Sequence, residues 1–216
     1  MVISWYGQSC FKVQSGEIVA VIDPFDKSLG LTPPRQLGAD IVMVSHAHPD
    51  HNNVAAISGS PFIIDGPGEY EIKGVKVTGI FSFHDTAEGK EIGGNTIYRL
   101  EIEGIKICHL GDLGQKKLSD EQIETIGDID ILMVPVGGGS TINAEEAVAI
   151  INQIEPKIVI PMHYKLAGMA KLAYDFDSVD NFLKEMGMDK KEAVDKLTMK
   201  KKDLPVEGTE VIVFKI

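Results

Sequence analysis

At 216 residues, the chain is long enough to bury most of the surface that its unfolded form exposes, and we expect one domain over residues 1–216. Hydrophobic residues make up 44% and charged residues 25%, a globular composition that excludes a predominantly disordered chain. The 21 Lys and Arg residues against 32 Asp and Glu residues give a formal net charge of −11, which argues against long nucleic acids as partners.

The N-terminal sequence and the two cysteines indicate a cytoplasmic protein. The chain enters strand-like sequence at once, without the basic stretch and apolar core of a signal peptide. No apolar run approaches the ~20 residues that a membrane helix needs, so we expect no membrane partner. Cys10 and Cys108 lie in apolar runs and outside any CxxC motif, which predicts buried free thiols and a reducing compartment.

The first half of the chain is predicted to form short strands. β-rich runs alternate with glycine-containing turns, and 41–44 is a compact apolar run that is typical of a strand buried on both faces. The predicted strands are 2–5, 11–14, 18–22, 41–44, 61–64, 69–72, 75–83, 96–102 and 105–110.

In the second half, helices alternate with buried strands. Ser119 with Gln122 predicts a capping box that opens a helix to about Ile126. Asn143 with Glu146 predicts a second capped helix, whose apolar residues share one face. Further elements are predicted at 131–134 (strand), 158–161 (strand), 175–186 (helix) and 211–216 (strand). The pattern predicts an α/β fold with helices packed outside the strands.

The clearest chemical motif is the run Ser-His-Ala-His-Pro-Asp-His at 45–51, which directly follows the buried strand 41–44. Active sites in α/β folds favour the carboxyl ends of strands. Neutral imidazole nitrogens and carboxylate oxygens are natural ligands of a divalent metal, which would also prevent repulsion among His46, His48 and His51. The alternative interpretation is a solvated loop that happens to be rich in histidine.

The chain has three further histidines, and each follows an apolar, strand-like run. They are His84, His109 and His163. Asp112 lies on the loop after the strand that leads to His109, where it is equally a candidate ligand or a turn residue before Gly114.

These residues, in this order, resemble the metallo-β-lactamase superfamily, and more closely its short, stand-alone branch of metal-dependent hydrolases, which includes ascorbate-phosphate lactonase-like proteins. The matching segments are Asp-Pro-Phe at 23–25, His-Ala-His-Pro-Asp-His at 46–51, Phe-His-Asp at 83–85, His-Leu-Gly-Asp at 109–112, Pro-Val-Gly-Gly at 135–138 and Pro-Met-His-Tyr at 161–164. The resemblance covers nearly the whole chain. It implies an αββα sandwich, with two mixed sheets flanked by helices.

The resemblance also implies a binuclear metal centre, with zinc as the expected metal and manganese or iron as alternatives. Asp112, with a water or hydroxide, would bridge the two metals. The first metal would be held by His46, His48 and His84, and the second by Asp50, His51 and His163. His109 would then be a partly buried residue that supports the ligands. In the alternative, His109 takes the place of His84 as the third ligand of the first metal.

Residues around the ligands receive supporting roles. Asp23 is a candidate acceptor that orients a metal-bound histidine, and an Asp-Pro turn explains it equally well. Tyr164, Lys165 and the loop 137–141 lie where relatives shape the substrate pocket, although the glycines of this loop also suit a tight turn. Some relatives have an aspartate at the position of Gly138, so its absence weakens any transfer of their substrate.

The expected function is hydrolysis of a small ester, lactone, thioester or phosphodiester by a metal-bound hydroxide, with Asp50 as a catalytic proton acceptor. One alternative is a diiron oxidoreductase, although such relatives usually carry a flavodoxin-like partner domain. The other is a non-catalytic metal-binding module, although such members usually lose ligands. The sequence leaves the physiological substrate, the metal and the oligomeric state open, and relatives often self-associate.

Overall fold

Two mixed β-sheets face each other across a continuous apolar core. The computed structural model describes residues 1–33, 37–170 and 175–216. One cluster of buried side chains contains Phe11 and Ile22 from the first sheet together with Ile97 and Met133 from the second. The hydroxyl of Tyr98 crosses between the sheets and donates to the carbonyl oxygen of Val44 at 2.8 Å.

The first sheet has six strands and combines antiparallel and parallel pairs. In spatial order its strands are β15 (Leu197–Thr198), β1 (Val2–Gly7), β2 (Cys10–Ser15), β3 (Ile18–Ile22), β5 (Ile41–Met43) and β7 (Phe62–Ile64). The first three pairings are antiparallel, and β3–β5 and β5–β7 are parallel.

The second sheet has seven strands and is also mixed. In spatial order its strands are β16 (Glu210–Val211), β13 (Ile158–Met162), β12 (Ile131–Pro135), β11 (Ile105–His109), β10 (Gly94–Ile102), β9 (Val75–Phe83) and β8 (Gly68–Ile72). Strands β11, β12, β13 and β16 pair in parallel, and the remaining pairs are antiparallel.

The central strands β3 and β5 of the first sheet are buried on both faces, because their side chains alternate between two apolar clusters. Ala20 and Ile22 belong to the core between the sheets, whereas Val21 and Val42 point to the opposite side. Over the described residues, that outer side is covered by a two-stranded sheet and a 3₁₀ helix. These elements are β4 (Leu37–Gly38), β6 (Ile57–Ser58) and the 3₁₀ helix Val54–Ala56.

Among the described residues, three α-helices pack on the second sheet or on one another: α1 (Asp120–Ile126), α2 (Ala144–Ile154) and α3 (Val179–Glu185). The capping boxes predicted at Ser119 and Asn143 are both present, and each helix begins at the next residue. The buried residues of α2 lie on one helix face, as the sequence predicted. The predicted α/β fold with two mixed sheets and flanking helices is confirmed.

Two predicted elements differ from the structure. The third helix begins at Val179 rather than at residue 175, because Ser178 is extended and the main chain of Asp177 is hydrogen-bonded to other loops. The amide of Asp177 donates to Gly137 and its carbonyl accepts from Lys165, both at 2.9 Å. The predicted final strand is broken at Ile212 into β16 and β17 (Val213–Phe214), and β17 pairs with β14 (Ala193–Val194).

The strand directions bring distant parts of the sequence to one edge of the sandwich. Strand β9 runs parallel to β11, because each is antiparallel to β10. The carboxyl ends of β9, β11, β12 and β13 therefore meet at the same edge of the second sheet. In the described part of the chain, no helix has the length and apolar character that crossing a membrane requires.

Candidate metal centre

One carboxylate oxygen lies at the centre of the histidine cluster. Oδ2 of Asp112 is 3.2 Å from Nε2 of His51, 3.2 Å from Nε2 of His163 and 3.3 Å from Nε2 of His84. Nε2 of His46 is 4.0 Å away. Ligands that share a tetrahedral metal at bond lengths of about 2.0–2.1 Å lie about 3.3 Å apart, so these separations suit common coordination.

The donors divide into two sets with no member in common. The ligand atoms of His46, His48 and His84 lie within 4.8 Å of one another, and so do those of Asp50, His51 and His163. A third group of His46, His51 and Asp112 connects the two sets. The structure therefore brings together all seven residues that were predicted as ligands, in the predicted grouping, and their coordination of metal stays a prediction.

Three of the histidines are oriented through Nδ1, so that Nε2 faces the centre. Nδ1 of His51 donates to Oδ2 of Asp23 at 2.9 Å, and Nδ1 of His84 donates to the carbonyl of Ser140 at 3.2 Å. Nδ1 of His46 lies 3.0 Å from the hydroxyl of Ser45. Such partners fix the ring orientation and tautomer of a metal-binding histidine.

Asp23 connects the histidine loop to the end of β3. Its carboxylate is fully buried and accepts hydrogen bonds from the amide and the hydroxyl of Ser45, both at 2.7 Å, as well as from His51. Asp23 has a φ of 46°, in the left-handed region that non-glycine residues rarely adopt. The hydrogen bond that the predicted role of Asp23 requires is therefore present.

His109 has no free nitrogen to offer a metal, although it is fully buried beside the cluster. Its Nε2 donates to the carbonyl of Ser9 at 2.9 Å, and its Nδ1 accepts from the amide of Gly111 at 3.1 Å. Burial lowers the pKa of His109, so the neutral ring that this pattern requires is favoured. Of the two predicted alternatives for the first set, the geometry favours His84.

The electrostatics of the cluster are dominated by buried carboxylates. Burial alone would raise the pKa of Asp112, but the neighbouring His163 and His51 hold it well below its usual range. Burial likewise opposes protonation of His51, yet Asp112 and Asp23 raise its pKa well above the usual value. The pKa of Asp50 falls to about 2 despite its burial, because of its contact with His51. The cluster therefore holds concentrated negative charge that favours cations.

The donor set fits a divalent metal ion. Nε2 of His51 is buried and has no hydrogen-bond partner among the described residues, although it faces the carboxylates of Asp112 and Asp50. Burial lowers the pKa of His46 to about 3 and so keeps a nitrogen lone pair available. Imidazole nitrogen and carboxylate oxygen together suit zinc, manganese or iron(II).

Two residues that the sequence did not reveal hold Asp112 in place. The hydroxyl of Ser9 donates to Oδ1 of Asp112 at 3.2 Å, which leaves Oδ2 directed at the histidines. The side-chain carbonyl of Asn95 accepts from the amide of Asp112 at 3.0 Å. Both residues are short polar side chains in strand-rich sequence, and Ser9 lies 103 positions from Asp112, so no local pattern could identify them.

The loop 137–141 is built for close packing. A Cβ at Gly137 would lie 2.2 Å from the carbonyl oxygen of His163, so only glycine fits there. Tyr164 is 4% exposed and packs its ring against Trp5, whereas Lys165 is exposed. The pocket roles of Tyr164 and Lys165 stay predictions.

Asp85 organises the loop that follows His84. Its carboxylate accepts hydrogen bonds from five backbone amides, at distances from 2.7 to 3.4 Å. The five donors are Ala87, Gly89, Glu91, Ile92 and Gly93. Burial would raise the pKa of Asp85, but these hydrogen bonds lower it from 3.8 to about 2. The ionised carboxylate therefore holds together the segment between His84 and β10.

Comparison with known proteins places this architecture in a family. The family model for the beta-lactamase superfamily domain matches residues 2–163. A UPF0173 metal-dependent hydrolase of Thermococcus onnurineus is 28% identical over 75% of this chain and 84% of the relative. One from Alkaliphilus metalliredigens is 32% identical over 76% of this chain and 85% of the relative.

A solved structure agrees with the sequence relatives. It is a protein from Thermotoga maritima, named as a proposed Zn-dependent hydrolase of the metallo-beta-lactamase superfamily, and it is 37% identical to this chain with a TM-score of 0.80. The match covers 99% of this chain and 97% of that one. The chain therefore belongs to the metallo-beta-lactamase superfamily, and the resemblance that its motifs indicated is confirmed.

The hydrogen bonds to Asp85 predict a specific pH dependence of stability. Because the pKa of Asp85 is lowered from 3.8 to about 2 on folding, the ionised group stabilises the fold fully above about pH 4, and this contribution is lost as the pH falls toward 2. In denaturant unfolding, Asp85→Asn should therefore be less stable than the wild type at neutral pH, with a difference that shrinks over that acidic range. Asp128→Asn, at a fully exposed side chain, is the control and should leave the dependence of the unfolding free energy on pH unchanged. A difference for Asp85→Asn that stays constant down to pH 2 would contradict this account.

Proposed function

We propose that the chain is a metal-dependent hydrolase with two divalent cations, most readily zinc, at the cluster around Asp112. The observation that carries the proposal is the position of Oδ2 of Asp112, between two donor sets that share no residue. Members of both sets approach this oxygen at 3.2–3.3 Å, which suits a bridging carboxylate. The relatives from Thermococcus onnurineus and Alkaliphilus metalliredigens are named metal-dependent hydrolases, which supports the same function here.

Charge balance supports two cations rather than one. Asp23, Asp50 and Asp112 place three carboxylates at the cluster, and two of them are almost fully buried. A buried carboxylate is costly unless it is paired with positive charge and hydrogen-bonded. The pKa of each of these carboxyl groups is lowered, so all three are ionised at neutral pH. One divalent cation would leave negative charge unpaired, whereas two divalent cations with one coordinated hydroxide would balance the three carboxylates without protonation of the histidines.

Each donor set would hold one cation: His46, His48 and His84 the first, and Asp50, His51 and His163 the second, with Asp112 between them. When bound, such a pair lowers the pKa of a coordinated water toward neutrality and polarises the substrate oxygen. Asp50 is the group best placed to move a proton. Its side chain is 28% exposed, more than any other side chain of its set, and its lowered pKa keeps it ionised at neutral pH.

A protein nucleophile is disfavoured by burial. Both cysteines are buried free thiols, as predicted, and burial raises the pKa of Cys108 to about 12 and that of Cys10 even further. Ser45 contacts both Asp23 and His46, whereas in a serine–histidine–aspartate triad the histidine lies between the other two residues. Ser45 is also only 2% exposed, and its hydroxyl donates to the carboxylate, so it cannot reach a substrate. This leaves activated water as the attacking group.

The substrate is proposed to be a small ester, lactone, thioester or phosphodiester. The formal net charge of −11 repels long polyanions, whereas a small molecule needs only local contacts at the exposed side of Asp50. The donor set disfavours the oxidoreductase alternative, because five of the seven proposed ligands are imidazoles, whereas diiron chemistry requires more carboxylate.

Metal removal tests the proposed function. Dialysis against a strong chelator should abolish turnover in a panel of lactones, aryl esters and small phosphodiesters, and zinc or manganese should restore it. The restored protein should contain about two metal ions per chain by elemental analysis. Turnover that survives complete metal removal would refute the mechanism. If zinc-loaded protein turns over no member of the panel, the non-catalytic module becomes the better account.

The proton-accepting role of Asp50 is tested separately. Asp50→Asn keeps the shape of the side chain but removes the base, so we expect kcat to fall by about 10²–10⁴-fold. Metal content, measured on the same samples, separates loss of the base from loss of the cation. Asp65→Asn, at an exposed aspartate outside the cluster, should retain full activity. An Asp50→Asn variant that binds both metals and keeps the wild-type kcat would exclude this role.

A further inference from the structure

His163 is held differently from three other histidines of the cluster. Nδ1 of His46, of His51 and of His84 each has a hydrogen-bond partner. Nδ1 of His163 is buried and has none among residues 1–33, 37–170 and 175–216. The hydrogen bond that usually fixes the ring of a metal-binding histidine is thus not found for His163 among those residues.

An aromatic side chain contacts the His163 ring instead. The ring of Phe176 lies edge-to-face with the imidazole, with ring centroids 4.8 Å apart and planes at 76°. This is the geometry that aromatic pairs prefer, because the positive edge of one ring meets the negative face of the other. Phe176 is only partly buried, so its ring lies at the surface of the site, next to the set that contains the open carboxylate of Asp50.

The backbone that carries Phe176 is fixed to the backbone that carries His163. The amide of Asp177 donates to the carbonyl of Gly137, and the carbonyl of Asp177 accepts from the amide of Lys165, both at 2.9 Å. Gly137 in turn lies directly against His163, as its lack of a side chain allows. The main chain next to Phe176 is therefore held beside the main chain of His163.

The main chain at His163 sets where the side chain begins but not how the ring is turned. His163 has a φ of 52°, in the left-handed region, and its amide donates to the carbonyl of Gln8 at 3.2 Å. These constraints leave the side-chain torsions free. Besides Asp112, which lies 3.2 Å from Nε2, the Phe176 ring is a contact that restricts them.

We propose that Phe176 is a positioning residue for His163, which keeps Nε2 of the imidazole directed at Asp112 through an edge-to-face contact with the ring. This inference rests on the proposed two-cation function. It predicts that substitution of Phe176 weakens zinc binding by one donor set and leaves zinc binding by the other set unchanged. The set of Asp50, His51 and His163 depends on an aromatic contact at the surface, whereas the set of His46, His48 and His84 does not.

Zinc titration of metal-free protein tests the proposal without any assay of activity. Competition with a chromophoric chelator gives the two zinc dissociation constants for the wild type, Phe176→Leu and Phe176→Tyr. The variant His163→Ala identifies which binding step involves His163. Loss of an outer partner typically weakens metal binding 10–100-fold, so Phe176→Leu should weaken that step about tenfold and leave the other unchanged. Phe176→Tyr, which keeps the ring, should bind as the wild type does.

Phe62→Leu is the matched control, because Phe62 is an aromatic residue on β7 that is 51% exposed and belongs to neither donor set. It should leave both constants unchanged, and circular dichroism verifies that every variant is folded. Equal constants for Phe176→Leu and the wild type would overturn the proposal, and so would equal weakening of both steps. A wild-type protein that binds fewer than two zinc ions would instead contradict the two-cation function itself, and this inference would fall with it.

Discussion

A buried carboxylate oxygen that faces four imidazoles is the feature on which the rest of the site depends. Asp112 is 2% exposed, and its Oδ2 lies within 3.2–4.0 Å of nitrogens from His46, His51, His84 and His163. Such a charge is stable inside a protein only where positive charge and hydrogen bonds surround it. The hydroxyl of Ser9 donates a hydrogen bond to the carboxylate, Asn95 holds the main-chain amide of Asp112, and the proposed cations would supply the charge.

The fold makes this arrangement possible because several strands end at the same edge of the sandwich. At three of these ends the backbone enters the left-handed region: Asp23 after β3, Gly111 after β11 and His163 after β13. A residue in this conformation turns the chain sharply, so that a side chain leaves the strand direction and points across the edge. For Asp23 and His163 the conformation is strained, and backbone strain of this kind is characteristic of functional sites.

The sequence predicted those parts of the structure that depend on local patterns. The motif at 46–51, the two capping boxes and most strands follow from residue spacing, and each is present. What it could not decide depends on contacts between distant segments. His84 and His109 both follow apolar strands, so residue spacing does not distinguish them as ligands. In the structure, the carbonyl of Ser9 and the amide of Gly111 occupy both nitrogens of His109. Similarly, residues 175–178 have a helix-like pattern, but hydrogen bonds of the Asp177 main chain to distant loops hold it outside the helix.

Anomalous X-ray diffraction at the zinc edge, from crystals grown with zinc, would test the central claim most directly. If Asp112 bridges two cations, the anomalous map should contain two peaks about 3.5–4 Å apart, on either side of Oδ2 of Asp112. One peak should lie about 2.0–2.2 Å from donors of His46, His48 and His84, and the other at the same distance from Asp50, His51 and His163. A single peak, or two peaks that do not both contact Asp112, would contradict a bridging role of Asp112 between two cations.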